Sequence, residues 1–272
     1  MSNAQSKSSG SGFPRWLFNL IVIAVELGIA FAIYSLVFGD PANFEGGNPE
    51  NHPLKGNMLG IIHKGGIIVP FLMTCFMIVL TFSIERFITI KRASGKVATK
   101  TFVRDLQALI NRGEVDKAIA ACDVQKGSLA NVMKAGLIHY KELSADAHLD
   151  KDQKVLSLQK ELEEATALEL PMLSQNMVII STIVSLGTLI GLIGTVLGMI
   201  RAFSALADTS GGDSTALATG ISEALINTAI GIISSTLAII SYNYFSTTID
   251  NLTYKIDEAG FSLVQSFAAS HK

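Results

Sequence analysis

Four apolar runs interrupt an otherwise polar chain: Trp16–Gly39, Gly65–Ile84, Leu170–Ile200 and Ala224–Ile249. Each reaches the ~20 residues that a helix needs to cross a bilayer. Between the second and third runs the apolar positions recur at steps of three and four, the period of a half-buried helix. Leu106, Leu109 and Ile110 form one such group, and Ala118, Ile119 and Cys122 another, with Gly113 between them. A third group, Leu129, Val132, Met133 and Leu137, follows Gly127. Leu156–Leu170 carries Glu161, Glu163 and Glu164 among leucines and alanines, and is expected to run straight into the third span, with Pro171 in its first turn. Neither strand-like alternation nor an internal repeat is visible. The pattern predicts an all-α membrane protein with four transmembrane helices and a helical cytoplasmic domain.

The expected organisation follows from these runs. Residues 1–15, rich in Ser and Gly, read as a flexible tail, and 16–39 as the first span. A loop follows at 40–64, the second span at 65–84 and the helical domain at 85–169. The third span is 170–200, with a second loop at 201–222. The fourth span is 223–250, and 251–272 reads as a C-terminal tail. Arg86, Lys91, Arg92, Lys96, Lys100 and Arg104 crowd behind the second span, whereas 40–64 offers only Lys55 and Lys64. Basic residues concentrate on the cytoplasmic side, so the 85–169 segment and both termini are expected there.

Composition narrows the function. The chain is 49% hydrophobic and 16% charged, as a polytopic membrane protein would be. Its net charge of −2 gives no reason to expect nucleic acid as a partner. Cys75 and Cys122 imply no disulfide framework, and His63 and His139 stand at no metal-ligand spacing. Neither a phosphate-binding loop nor a nucleophile–base set stands out. No catalytic residue, metal or cofactor is expected, and the protein is not read as an enzyme.

The third and fourth runs are polar in an organised way. On the third, Ser181, Ser185, Thr188 and Thr195 fall within about 40° of one direction at 100° per residue, and Gly187, Gly191, Gly194 and Gly198 cluster about 110° away. On the fourth, Thr228, Ser235 and Tyr242 form one line, and Glu223, Asn227, Ser234 and Ser241 another, roughly 120° round. Hydroxyls in membrane helices often bond their own backbone, and glycine stripes occur in any tight bundle. Two consecutive spans with this pattern, one opening on a carboxylate, favour a polar path beside a close helix contact. Thr195, Thr228, Ser181, Ser185, Thr188 and Ser235 are the expected path residues. The glycines are expected to pack helices within a ring of subunits. Arg201 and Glu223 end their helices at the outer face, either marking the lipid boundary or forming an ion pair or entry charge at a pore mouth. Glu26 lies inside the first span, where an unpaired charge is costly. Protonated packing, helix pairing and an ion route all remain open for it.

The stretches Gly191–Ile200 (GLIGTVLGMI), with Phe203 beyond, and Ile221–Gly231 (ISEALINTAIG), with Tyr242-Asn243 further on, resemble the MotA/TolQ/ExbB proton channel family, closest to its ExbB and TolQ branch. Glu85-Arg86 looks like the close of that family's first core helix, and the Leu106–Leu137 pattern like its cytoplasmic hairpins. The resemblance covers about residues 65–250. It implies a three-helix core to which the first span is an addition, with Thr195 and Thr228 as pore-facing threonines and Glu223 as the acid opening the last helix. It further implies a homo-oligomer, a pentameric ring in the bacterial inner membrane, around an ExbD- or TolR-like single-span partner with a membrane aspartate. Such a proton-driven stator would do work on a TonB-like protein or the envelope. Where the family often has proline, this chain has Thr188 and Leu237, which puts the corresponding helix kinks in doubt. A non-conducting scaffold assembled through the glycines, and a gliding or flagellar-type stator, are the alternatives. A secondary transporter fits less well, since four spans show no inverted repeat.

Overall fold

The computed structural model describes residues 15–208 and 214–270, so most of the expected N-terminal tail lies outside the described residues, as do positions 209–213 and 271–272. Among the described residues there is no strand, only an isolated bridge between Phe44 and Pro53. Four helical stretches are long and apolar enough to cross a membrane: Trp16–Phe38, Ile68–Ala93, Lys151–Ser204 and Leu217–Ser270. The chain is an all-α, multi-pass membrane protein. Its contacts divide it into two units, one comprising the chain up to Leu80 with Thr182–Ala238, the other Thr81–Ser181 with the chain from Ile239 onward.

In the first unit, α1 (Arg15–Ile33) widens into a π turn at Tyr34–Phe38. The 40–64 segment, expected as a plain loop, is held by specific bonds. Asn43 Nδ2 donates to the carbonyls of Val37 and Phe38 at 2.8 and 3.1 Å, and Asn43 Oδ1 accepts from Asn57 Nδ2 at 2.9 Å. Asn57 also caps α2 (Met58–Lys64), its side-chain oxygen accepting from the amides of Leu59 and Gly60. A polar side chain capping the first turn is what starts so short a helix. Tyr34 stacks on His63 at 4.6 Å between ring centroids and donates its hydroxyl to the His63 carbonyl at 2.9 Å. Burial, and Lys64 beside it, hold the His63 imidazole below the usual histidine pKa. The unit is completed by the beginning of α3 (Ile68–Ala93) and by segments of α8 (Met177–Asp208) and α9 (Ser214–Ser270).

The second unit is a bundle with a branched aliphatic core. It contains α4 (Thr99–Asn111), α5 (Val115–Gln125), α6 (Ser128–Ala145) and α7 (Lys151–Ser174), with the end of α3 and the C-terminal part of α9. Leu106, Ile110, Ala118, Cys122, Leu129, Val132, Met133 and Leu137 are all buried. Gly113, at φ 74°, separates α4 from α5, where only glycine takes a left-handed turn without strain. A capping box opens α7: Asp150 accepts from the Gln153 amide at 2.8 Å, and the Gln153 side chain accepts from the Asp150 amide at 3.2 Å.

Three expectations about element bounds are corrected. The chain does not run straight from α7 into the third span: Pro171 sits in the last turn of α7, and Asn176 turns the chain at φ 62° before α8 begins at Met177. The 251–272 segment is helix as far as Ser270, and it buries Leu252, Ile256, Ala259, Leu263 and Phe267. These recur at steps of three and four, a helical stripe already visible in the sequence. Finally, the expected 201–222 loop is mostly helical, since α8 reaches Asp208 and α9 starts at Ser214.

Candidate functional site

The first unit contains a seam between α8 and α9 in which small residues face small residues. A Cβ added at Gly187 would stand 2.6 Å from Ser235 Oγ, and one at Gly194 would stand 2.6 Å from Asn227 Cβ. At Gly191 it would lie 3.0 Å from the Asn227 carbonyl, and at Gly198 2.9 Å from Ala224 Cβ. Gly231 answers from α9, with its own missing Cβ 2.5 Å from the Gly187 carbonyl. Gly220 against Ala202 extends the line at 2.6 Å. From Gly187 to Ala202 the seam is about 22 Å long at 1.5 Å per residue. The glycine stripe therefore packs two helices of one chain, where a contact between subunits was expected. In lipid, where apolar side chains gain little by meeting each other, close backbone approach is a principal source of helix association.

Hydroxyls border this seam. The Thr195 and Thr228 hydroxyls hydrogen-bond each other. Thr195 also donates towards the carbonyls of Ala224 and Gly191 at 3.2 and 3.3 Å, and Thr228 towards Gly191 at 3.4 Å. A turn or two away, Thr188 Oγ1 donates to Ser235 Oγ at 3.0 Å, and Ser235 reaches the Ile183 carbonyl at 3.4 Å. Four of the six expected path residues are thus joined in two pairs. Ser185 is exposed. Ser181, which belongs to the second unit, donates to its own helix at Val178 O, 2.9 Å away.

Asn227 is the residue that reasoning from sequence left out of the site. It is 2% exposed, packs under Gly194, and donates from Nδ2 to the Gly65 carbonyl at 2.9 Å. This ties the start of the α3 region to α9. Among the described residues its buried Oδ1 has no hydrogen-bond partner. An amide in an apolar run was the available signal, but nothing in the spacing named Gly65 as its partner.

At the end of this unit the charges are arranged differently from a simple pair. Among the ion pairs of the described residues, none joins Arg201 to Glu223. The guanidinium lies against Gly66, 3.0 Å from where a Cβ would be, and Gly66 adopts φ 74°. Glu223 instead lines a cavity of about 310 Å³ together with Lys55, Lys64, His52 and Ser222. Glu26 is 5% exposed, within α1.

In the second unit, Glu85-Arg86 forms a clamp in which the guanidinium is buried and the carboxylate partly exposed. Arg86 is 1% exposed and donates to the Leu173 and Met172 carbonyls at 3.1 and 3.4 Å. Its remaining donors go to both oxygens of Glu85 at 2.5 and 2.6 Å, and Glu85 also accepts from Thr89 and Asn176. Terminal carbonyls of a helix lack intrahelical partners. Here a guanidinium supplies them where Pro171 and Asn176 end α7.

The sequence pattern of the MotA/TolQ/ExbB proton channel family matches residues 125–258, a stretch containing the seam's glycines and threonines. A putative biopolymer transport protein ExbB-like 3 of Synechocystis is 37% identical over 86 residues, which is 31% of this chain and 41% of that protein. The Tol-Pal system protein TolQ of Pseudomonas aeruginosa is 31% identical over 115 residues, 42% of this chain and 50% of that one. The TolQ of Haemophilus influenzae is 26% identical over 199 residues, 71% and 86% of the two chains. The match thus spans half or less of the length of the first two relatives. Family pattern and relatives converge: residues 125–258, just under half of the chain, match the MotA/TolQ/ExbB family, and the relatives are ExbB and TolQ proteins.

Proposed function

We propose that this chain is the ion-conducting stator subunit of an ExbB–ExbD- or TolQ–TolR-like motor in the bacterial inner membrane, with protons as the ion and both termini in the cytoplasm. Five copies surround an ExbD- or TolR-like partner whose single span carries an aspartate, and ion flow performs work on a TonB-like protein. The observation that carries this reading is the pairing of Thr195 with Thr228 beside spans that hold no acid of their own. Residues 65–84, 170–200 and 224–249 contain neither Asp nor Glu. A hydroxyl relays or coordinates an ion but does not ionise near neutral pH. Apart from Glu26 in the first span, the group that takes up and releases charge is therefore the partner's. One charge crossing 100 mV yields about 2.3 kcal/mol, enough to rearrange a few contacts per ion. The scaffold alternative loses its assembly device, because the glycines it needs are occupied within the chain.

The test is ion flux in liposomes under an imposed potential, with the subunit alone and with a partner span bearing the aspartate. Flux is expected only with the partner. Robust, selective flux from this chain alone would overturn the proposal and turn attention to Glu26.

A further inference from the structure

We propose that the cytoplasmic end of α3 carries a binding site for the headgroup of an anionic phospholipid. A cavity of about 640 Å³ opens where the apolar part of that helix ends. One edge is Phe87 and Ile88, both exposed on a helix long and apolar enough to cross a membrane. The other edge is Lys91, Arg92, Lys96 and Lys126. Among the described residues none of these four cations makes an ion pair, and no carboxylate lines the cavity. An apolar rim against an unneutralised cationic wall has the polarity of a lipid with a negative headgroup. Basic pockets on the cytoplasmic side of membrane helices bind such headgroups.

The cations are brought together by built structure. Gln125, 3% exposed, accepts from the Val97 amide at 2.9 Å and donates to the Val97 carbonyl at 2.8 Å, while its own carbonyl accepts from the Lys96 amide at 3.1 Å. Gly127 packs its backbone on the Ala93 carbonyl. These contacts fasten the turn after α3 to the end of α5, and so set Lys96 and Lys126 beside Lys91 and Arg92. Attraction of cations to a helix C-terminus accounts for Lys91 and Arg92 in the last turn of α3 and for the charge of Lys126 at the end of α5, but not for Lys96. The backbone of Lys126 is the more telling. It has φ 58° and ψ 176°, a region that is essentially reserved for glycine. The chain holds a lysine in a conformation that disfavours it, in the wall of a cavity with three other cations.

The experiment uses the purified full chain in mild detergent, with bound lipid counted by native mass spectrometry. Phosphatidylglycerol and phosphatidylcholine of identical acyl chains are offered in competition, and glycerophosphoglycerol, which lacks acyl chains, in a separate arm. Preferential retention of phosphatidylglycerol is expected, with none of the free headgroup, since the apolar rim is part of the site. Each lysine contributes about a fivefold preference near a membrane surface. Lys96→Gln with Lys126→Gln together should lower retention at least ~10-fold by the same principle. Lys126→Gly separates the site from the fold: relief of the backbone should raise the melting temperature while phosphatidylglycerol retention falls. Equal retention of both lipids, capture of the free headgroup, or undiminished retention in a well-folded Lys126→Gly would each overturn the proposal.

Discussion

The two units pack helices by opposite means. In the α8–α9 seam the contacting atoms are backbone and the first atoms of side chains: Gly187 against Gly231, Gly194 against Asn227, Gly198 against Ala224. In the bundle of α4 to α7 with the end of α9, Leu106, Leu137, Leu158, Leu162 and Leu263 fill the space between helices. The difference follows from the solvent each sequence is written for. In water, leucine gains by leaving solvent, roughly 25 cal/mol per Å² of apolar surface. In lipid that gain vanishes, and what remains is close contact and hydrogen bonding. The seam accordingly puts hydroxyls and an amide beside its glycines, whereas the bundle's centre is mostly apolar, with Gln125 and Ser128 buried at its edge towards α3.

The sharpest way to break this comparison is a pair of alanines. A Cβ at Gly231 and one at Gly136 would each meet an atom at 2.5 Å. At Gly231 that atom is the Gly187 carbonyl oxygen, with Gly191 Cα behind it; at Gly136 it is Leu162 Cδ2, the far end of a flexible side chain. Gly231→Ala should therefore cost about 3 kcal/mol or more, because two helices must separate, and Gly136→Ala about 1 kcal/mol, because a leucine turns. Unfolding in a denaturing detergent titration measures both. Equal costs would show that the seam yields as readily as the bundle.

Arg86 tests an exception inside the bundle, a charge fully buried among mostly apolar side chains. Arg86→Ala leaves the Met172 and Leu173 carbonyls without their donor and should cost about 2 kcal/mol. Protease cleavage should then appear first around Gln175, where α7 ends. Unchanged stability, with no new cleavage, would mean that the proline and the turn at Asn176 end the helix unaided.

How much of this was legible beforehand divides along the same line. The bundle's core was readable because leucines at steps of three and four can only mean a buried helical face. The identity of the polar residues on α8 and α9 was also readable, and so was their division into two stripes. The partners were not. Projection of one helix says that Gly187, Gly191, Gly194 and Gly198 share a side, but not whether the same chain or another copy covers it. Asn227 to Gly65 spans 162 positions, and Arg86 to Leu173 spans 87, so no local period could join them. The C-terminal helix escapes the sequence for a different reason: its stripe of Leu252, Ile256, Leu263 and Phe267 is as regular as that of α4, but it follows a membrane run and so reads as a tail.

Thr195 and Thr228 should separate stability from function. Replacing both by valine keeps the shape and removes the hydroxyl pair together with its contacts to Gly191 and Ala224. Hydrogen bonds between membrane helices are worth about 0.6 kcal/mol on average, so the double variant should lose no more than about 1 kcal/mol. Partner-dependent ion flux should nevertheless collapse. A variant that conducts normally would leave the threonines as packing residues and remove them from the proposed path.

The smallest effect concerns Cys122, and it asks how closed the bundle is. The thiol is 2% exposed, and burial, aided by the negative charge of Asp123, pushes its pKa up to about 12. Only the thiolate attacks an alkylating reagent. Near pH 8 both access and ionisation therefore oppose reaction, and the folded protein should take up a water-soluble maleimide at Cys122 only as fast as the bundle opens. Raising the pH from 7 to 9 increases the thiolate fraction of an exposed cysteine about 25-fold, given its pKa near 8.5. In the folded protein the site stays almost wholly protonated across that range, with a thiolate fraction that is small at both ends of it, so labelling should be far slower than in the denatured chain at every pH. Mass spectrometry of labelled peptides over time reads this directly. Labelling at the denatured rate would show that the α5–α6 contact opens freely and that the bundle's packing does not close it.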